Sequence, residues 1–151
     1  MKLLVVTHFY PSHGGGIESV AGQLVRCFLD LDSNLQIEWC AGYGDELPAP
    51  HARLRTRPLR VWNGIERAIG LPVPLPGPSA LGKLWRAVRR ADAVHFHDIA
   101  YPVHLALAIF CKLQRKPYVV TQHIGVVPFK SAVLRRVLET VNRVLGKAVL
   151  N

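Results

Sequence analysis

The chain begins with a short apolar segment, a glycine-rich loop and an amphipathic helix. Leu3–Val6 has the length and composition of a buried strand, and Gly14, Gly15 and Gly16 follow in the next loop. From Ile17 onward apolar residues recur every three or four positions, which is the spacing of one helix face. A turn between a strand and a helix brings free backbone N–H groups to the positive end of the helix dipole. This beginning predicts an α/β unit with a cradle for a phosphate, another anion or a sugar.

The rest of the sequence alternates short apolar strands with helical segments. Strands are predicted at Lys2–Thr7, Leu35–Ala41, Leu54–Trp62, Ala93–His97 and Tyr118–Thr121, and helices at Ile17–Leu29, from a Ser79 cap to about Arg90, at Pro102–Gln114 and after a Ser131 cap. The proline-rich segment Leu71–Pro78 is predicted to be an irregular, rigid loop. Short strands that are apolar almost throughout belong in parallel sheets covered on both faces. The predicted fold class is therefore α/β, with a Rossmann-like doubly wound parallel sheet.

Length and composition bound the class of protein. The 151 residues suffice for one domain with its own core, and half of them are hydrophobic. Leu3–Val6 is too short for the apolar region of a secretory signal, and Val103–Cys111 is too short to cross a bilayer. Cys27, Cys40 and Cys111 each lie in an apolar run. We predict buried, reduced thiols and a cytoplasmic protein.

Positive charge is concentrated in one segment of the chain. Residues 53–90 carry nine arginines and lysines against the single acid Glu66, within a chain of net charge +9. Trp62 and Trp85 are interleaved with these bases. Such a segment forms either a solvated basic face or a surface for an anionic partner, namely a membrane, a nucleic acid or a phosphorylated substrate. The sequence leaves both interpretations open.

Polar side chains stand where three of the predicted strands end. His8 follows the first strand, His97 and Asp98 end the fourth, and His123 follows the fifth, whereas His104 lies in an apolar helix and is assigned to packing. The carboxyl ends of parallel strands meet at one edge, where doubly wound sheets bind ligands. We therefore expect a substrate cleft at this edge. A neutral histidine there can exchange a proton or hydrogen-bond a sugar hydroxyl.

Two other kinds of site fit the pattern less well. The dinucleotide fingerprint needs a third glycine where the chain has Ser19, and no acidic residue ends the second strand, so we do not expect NAD binding. His95 and His97 share one side of a strand and could bind a metal together with Asp98 and His123. Because further ligands at defined spacing are missing, a metal site is the minority interpretation. His95 is predicted to be a hydrogen-bonded core residue.

Several segments together resemble the amino-terminal domain of the retaining GT-B glycosyltransferases of family 4. The matching segments are Leu3–Pro11, Gly14–Glu18, Asp92–Asp98 and Tyr118–His123. The resemblance implies two Rossmann-like domains that face each other across a cleft. Residues 1–151 would be the acceptor-side domain, and the carboxyl-terminal nucleotide-sugar domain would be absent. The implied reaction moves a sugar from a nucleotide-sugar to a hydroxyl of a lipid-linked or polysaccharide acceptor, with no cofactor and no metal.

The resemblance also assigns roles to individual residues. His123 would be the catalytic residue that contacts the transferred sugar. The donor phosphate or sugar would approach Gly14, Gly15 and Gly16, and the acceptor side would include His13, Glu18, His97 and Asp98. A basic and aromatic surface would face the inner side of the cytoplasmic membrane, comprising Arg57, Arg60, Trp62, Arg67, Trp85, Arg86, Arg89 and Arg90. Without the second domain, the chain alone is expected to bind the donor poorly and to turn over little.

Two further functions remain as alternatives. The first is a non-catalytic Rossmann-like binding module that needs a partner chain. The second is a small metallohydrolase built on His95, His97, Asp98 and His123. Nucleic-acid binding is a distant third, because no recognised reading element accompanies the basic segment.

Overall fold

The computed structural model describes residues 1–44, 46–64, 74–99, 101–123 and Gly146. Its strands are β1 (Lys2–Val6), β2 (Gln36–Gly42), β3 (Leu54–Leu59), β4 (Val61–Trp62), β5 (Leu75–Pro76), β6 (Ala93–His97) and β7 (Tyr118–Thr121). Its helices are α1 (Gly16–Leu31), α2 (Pro78–Arg90) and α3 (Pro102–Leu113), with a 3-10 turn at Pro11–His13. No helix in these ranges is both long and apolar enough to cross a bilayer.

Five of the strands form one parallel sheet in the order β3-β2-β1-β6-β7. From β1 the chain moves outward through β2 and β3 and then returns to place β6 on the other side of β1. Leu3 of β1 pairs with both Ile37 of β2 and Ala93 of β6. This order is that of a doubly wound sheet, so the predicted Rossmann-like α/β fold is confirmed. Its topological switch point lies between the carboxyl ends of β1 and β6, where such folds bind ligands.

The two faces of the sheet bury separate hydrophobic clusters. Alternate residues of β1 point to opposite faces. Leu4 and Val6 pack with apolar residues of α2 and α3, whereas Leu3 and Val5 pack with those of α1. Helices therefore cover both faces of the sheet, and the carboxyl edge of β1 emerges between them.

The segment between β2 and α2 differs from the prediction in two ways. The predicted strand Leu54–Trp62 is divided at Arg60, because β3 belongs to the main sheet and β4 pairs with β5 in a separate antiparallel pair. The segment Leu71–Pro78 is therefore not wholly irregular. Proline is tolerated in such a pair because a two-stranded ribbon has only edge strands. Residues 71–73 lie outside the described residues.

Helix α2 begins earlier than predicted. Gly77, not Ser79, is the N-cap residue, and Pro78 is the first helical residue. Proline suits this position because its fixed φ angle is already helical and its missing N–H is one that the first turn leaves unbonded. The helix that was predicted after Ser131 lies outside the described residues.

The prediction that all three cysteines are buried is wrong for one of them. Cys40 and Cys111 are buried free thiols, as predicted, and burial raises the pKa of each to about 12. Cys27 is exposed. It lies two residues from both Val25 and Leu29, which face the core, and two residues turn a helix by about 200°. An apolar run in a helix therefore does not bury every residue in it.

Candidate functional site at the carboxyl edge of the sheet

The ends of β6 and β7 meet through hydrogen bonds. The Nδ1 atom of His97 lies 2.7 Å from Nε2 of His123. The backbone N–H of His123 donates to Oδ1 of Asp98 at 2.8 Å, and the backbone N–H of Asp98 donates to the carbonyl of Thr121 at 2.9 Å. His97 and Asp98 are completely buried, whereas His123 is half-buried. The structure thus brings these three predicted site residues together, with His97 and Asp98 supporting His123.

Asp98 adopts a backbone conformation that residues other than glycine rarely adopt. Its φ angle is +63°, in the left-handed region. Aspartate tolerates this region better than most residues because its short side chain can bond to the nearby backbone. Here the carboxylate accepts a hydrogen bond from the backbone N–H of His123, two residues beyond the neighbouring strand β7. Such conformations cluster at functional sites, where the surrounding structure holds them in place.

Two further histidines belong to this edge: His8, which the sequence places at the end of β1, and His104, which the sequence analysis assigned to packing. His104, in the first turn of α3, is completely buried and its Nδ1 lies 2.8 Å from the carbonyl oxygen of Asp98. The ring of His8 packs edge-on against that of His104, with their centroids 4.4 Å apart. The missed signal is the short connection after β6, because it starts α3 at the same edge where β6 ends.

Burial keeps the histidine cluster of this edge, His8, His97 and His104, neutral. It lowers the pKa of His8 to about 2, of His97 to about 3 and of His104 to about 4. Neighbouring imidazoles lower the pKa of His8 and His97 further, because two positive rings in contact repel each other. Around neutral pH the cluster therefore offers imidazole donors and acceptors rather than cations.

Several ring nitrogens of the cluster are buried without a hydrogen bond. Within the described ranges, no partner reaches either nitrogen of His8, or Nε2 of His97 or of His104. A buried polar atom without a partner costs about 1–3 kcal/mol, and most such atoms in native structures have partners. The concentration of these atoms at one edge is what distinguishes this edge as a candidate site.

His95 has the structural role predicted for it. It is buried, and its Nε2 lies 2.8 Å from the hydroxyl oxygen of Thr121 on β7. The nitrogens through which His97 and His123 face each other are likewise joined in a hydrogen bond. Across the described residues, no three His, Cys, Asp or Glu side chains are arranged to hold a metal ion.

The glycine-rich loop forms the start of α1. Gly14 has φ +86° and closes the 3-10 turn, donating its N–H to the carbonyl of Pro11 at 3.0 Å. Gly15 is the N-cap residue of α1, and a Cβ there would overlap the buried carboxylate of Glu18. Glu18 thus packs against the positive end of its own helix, which favours a negative charge. A Cβ on either Gly14 or Gly16 would meet nothing within 4 Å. Because Gly14 has a left-handed φ angle and Gly16 does not, Gly16 is the open position of the loop that can take a side chain without strain.

His13, the remaining residue predicted on the acceptor side, lies directly before this loop. His13 is exposed, and its ring stacks on that of Phe9 with centroids 3.9 Å apart. Tyr101, which was not predicted, packs edge-on against His8. Burial, followed by the charges of Asp98 and Glu18, raises the pKa of its phenol. The phenol of Tyr101 is therefore within electrostatic reach of Asp98 and of Glu18.

The basic segment is divided among several positions. Arg57 and Arg90 both pair with Glu38, the latter through Nη2 at 2.9 Å from Oε1. Arg60, Trp62, Arg86 and Arg89 are exposed, Trp85 is 37% exposed, and Arg67 lies outside the described residues. The predicted membrane-facing set thus does not form one uniform free surface.

Similarity to known proteins extends along most of the chain. A family model described as Glycosyltransferase Family 4 matches residues 14–148. No curated protein matches the sequence. Among solved structures, a crystal structure of Acinetobacter baumannii MurG is similar over 90% of this chain and 39% of that chain, with 16% sequence identity and a TM-score of 0.48. This chain therefore spans less than half the length of that protein.

Proposed function

Because the chain belongs to glycosyltransferase family 4 and is a glycosyltransferase-like domain, we propose that it is the acceptor-side half of a retaining sugar transferase. The proposed reaction moves a sugar from a nucleotide-sugar to a hydroxyl of a lipid-linked or polysaccharide acceptor. One observation carries the proposal: His123 is held at the switch-point edge by both Asp98 and His97. A half-buried imidazole in this place can hydrogen-bond a sugar.

The glycine loop supplies the second part of the proposed site. The open position at Gly16 lets an anionic group approach the first turn of α1, where backbone N–H groups point outward. Such donors stabilise the charge that develops on a diphosphate leaving group. We propose that Gly14, Gly15 and Gly16 face the donor phosphate or sugar. His13, Glu18, His97 and Asp98 remain the proposed acceptor side, with the two buried residues acting through His123.

The proposed reaction also needs groups that this domain does not supply. We propose that a second Rossmann-like domain, in the same polypeptide or in a partner chain, binds the nucleotide. The nucleotide-sugar acts as co-substrate, and no resident cofactor or metal takes part. In the alternative, the chain is a non-catalytic module, and a partner domain would bind it without any transfer of sugar.

The Gly16→Ala variant tests the donor site without disturbing the fold. A methyl group there has open space, but it would obstruct a phosphate that approaches the helix. The matched control is Gly77→Ala, which adds a methyl in equally open space at the start of α2. Binding of UDP-, GDP- and ADP-sugars is measured by ligand-observed NMR on the chain, alone and with a family 4 carboxyl-terminal domain.

We expect donor binding to weaken at least tenfold, or about 1.4 kcal/mol, in Gly16→Ala and to stay unchanged in Gly77→Ala. Equal binding by the two variants would contradict the role of the loop. Donor binding without transfer in the presence of the second domain and acceptors would favour the non-catalytic module. Efficient transfer by the chain alone would contradict the need for a second domain.

We also propose that one part of the basic surface contacts an anionic membrane. Trp85 of α2 packs edge-on against Phe110 of α3, and Gln114 donates a hydrogen bond to the Trp85 carbonyl at 3.2 Å. These contacts join the two helices into one surface that carries exposed Arg86 and the 69% exposed Leu113. Interleaved bases and apolar side chains suit the headgroup region of anionic lipids.

Charge reversal on this surface is compared with charge reversal elsewhere. Arg86→Glu lies on the proposed surface, whereas the control Arg26→Glu lies on α1, which packs on the opposite face of the sheet. A basic residue near an anionic membrane contributes about 1 kcal/mol, and charge reversal changes the charge by two, so Arg86→Glu should weaken binding to phosphatidylserine vesicles roughly thirtyfold. Equal loss in both variants, or no binding of the unaltered chain at low salt, contradicts the proposal.

A further inference from the structure

The hydrogen bond between His97 and His123 leaves open which ring carries the shared proton. Their facing atoms, Nδ1 of His97 and Nε2 of His123, lie 2.7 Å apart, and the ring planes are inclined by only 14°, with centroids 5.0 Å apart. A neutral imidazole has one N–H donor and one acceptor nitrogen. One ring must therefore donate to the other, and the choice determines what the remaining nitrogen of His123 presents to a ligand.

The surroundings of His97 favour one of the two arrangements. If Nδ1 of His97 carries its proton, Nε2 is left as a bare lone pair; if Nε2 carries it, an N–H group is buried. Within the part of the chain that the structure describes, Nε2 has no hydrogen-bond partner. Orphaned buried N–H groups are rarer in proteins than under-satisfied acceptors. His97 therefore carries its proton on Nδ1 and donates it to His123.

The same edge contains an independent reference for this assignment. Nδ1 of His104 lies 2.8 Å from the carbonyl oxygen of Asp98, and a carbonyl can only accept. His104 must therefore hold its proton on Nδ1, which again leaves a buried bare Nε2 without a partner among the described residues. The tautomer inferred for His97 is thus the one that a neighbouring histidine of the same cluster adopts for a geometric reason.

We propose that His97 is a positioning residue that fixes the tautomer of His123, so that His123 presents an Nδ1–H donor to the ligand. The hydrogen bond from the His123 backbone N–H to Asp98 and the bond to the His97 ring hold the orientation of that donor. Because burial holds the pKa of His97 at about 3, this ring stays neutral and keeps its donor proton through the physiological range.

The inference restricts what His123 does in the proposed transferase, and this part rests on the proposed function. With Nε2 occupied by His97, the nitrogen left for a ligand carries a hydrogen and has no lone pair to accept a proton. His123 would therefore bind an acceptor oxygen of the transferred sugar and would not act as a general base. The matching ligand group is a hydroxyl, ring or phosphate oxygen.

The tautomer is measured directly by NMR on the full chain labelled with ¹⁵N, through long-range couplings between ring nitrogens and ring carbon-bound protons. At pH 7.5 without ligand, we expect protonated Nδ1 and bare Nε2 in His97, His104 and His123. Resonances are assigned by their loss in single histidine variants. A proton on Nε2 of His123 in the unaltered chain would overturn the proposal.

Two substitutions separate positioning from mere structural support. His97→Phe keeps an aromatic ring but removes the donor, so most of the His123 population should move to the Nε2–H tautomer. His97→Asn replaces the donor with an amide N–H and should restore the Nδ1–H tautomer. Identical His123 tautomers in both variants would contradict the proposal. Donor-sugar binding is recorded separately, so a failed transferase assignment leaves the tautomer result standing.

Discussion

The two edges of the parallel sheet differ in whether their polar groups have partners within the protein. At the amino edge, charges have protein partners: Arg53 donates to the last carbonyls of α1, at Leu29 and Asp32, and Glu38 binds two arginines. At the carboxyl edge, the described part of the chain leaves imidazole nitrogens of buried histidines without partners. Charges that are paired within the protein indicate a structural role, whereas a concentration of unsatisfied polar atoms indicates a place prepared for a ligand.

This difference changes the meaning of the basic segment. Arg53 is a helix cap, since cations near the carboxyl end of a helix interact favourably with its dipole. Lys116 serves the end of α2 in the same way, with Nζ 2.6 Å from the carbonyl oxygen of Ala91. Part of the positive charge that suggested an anionic partner therefore stabilises the domain itself.

Acidification should separate the two edges most strongly. Unfolded histidines have a pKa near 6.5, whereas His8, His97 and His104 have folded pKa values of about 2, 3 and 4. As pH falls from about 7 to 4, the unfolded chain binds protons at these sites and the folded chain does not. Each site then removes up to ~1.4 kcal/mol of stability per pH unit, and this stability is fully present only above about pH 7.5.

Urea unfolding followed by circular dichroism between pH 5 and 8 measures this loss. The free energy of unfolding should fall by several kcal/mol, which is comparable with the whole stability of a small domain. In His8→Phe the free energy of unfolding should depend less steeply on pH, because one proton fewer is taken up on unfolding. The substitution removes no hydrogen bond between described residues. A pH-independent stability would show that the histidines are not neutral and buried together.

The fold was predictable because most of its strands and helices have a recognisable local sequence pattern. The apolar runs of β1, β2, β6 and β7 and the periodicity of α1 are properties of neighbouring residues, and their alternation implies a parallel sheet. The divided strand at Arg60 was not predictable, because β4 is defined by its pairing with β5, thirteen or more residues away along the chain. Pairing of so short a strand leaves no local pattern.

The candidate site was predictable only where it coincides with strand ends. His97, Asp98 and His123 could be selected because parallel strands align their carboxyl ends. His104 and Tyr101 could not, because their contacts with His8 depend on how α3 packs after a tight connection. The role of Arg57 and Arg90 was likewise hidden, since their shared partner Glu38 belongs to a different strand and lies far away in sequence.

Glu38→Gln tests whether the amino edge is structural. The change leaves the Arg57 and Arg90 guanidiniums without their carboxylate, and should lower the free energy of unfolding by about 2 kcal/mol. Donor binding and the histidine tautomers at the other edge should not change. The control Arg55→Gln removes an exposed charge of β3 for which no partner is recorded, so it should stay within about 0.5 kcal/mol. Equal effects of the two substitutions would mean that the Glu38 pairs contribute nothing.

The smallest expected effect distinguishes structure from function within the carboxyl edge itself. Ala at position 14 has space, but φ +86° is unfavourable for any residue with a Cβ, so Gly14→Ala should cost about 1 kcal/mol, or a melting temperature lower by about 3 °C. Position 16 has space for a methyl group and no left-handed φ angle, so Gly16→Ala should be neutral or slightly stabilising, because alanine favours helix. If Gly14→Ala loses stability but retains donor binding, and Gly16→Ala does the reverse, then Gly14 is needed for the turn and Gly16 for the ligand. Equal thermal stability of the two variants would contradict the left-handed turn at Gly14, on which the position of the whole loop depends.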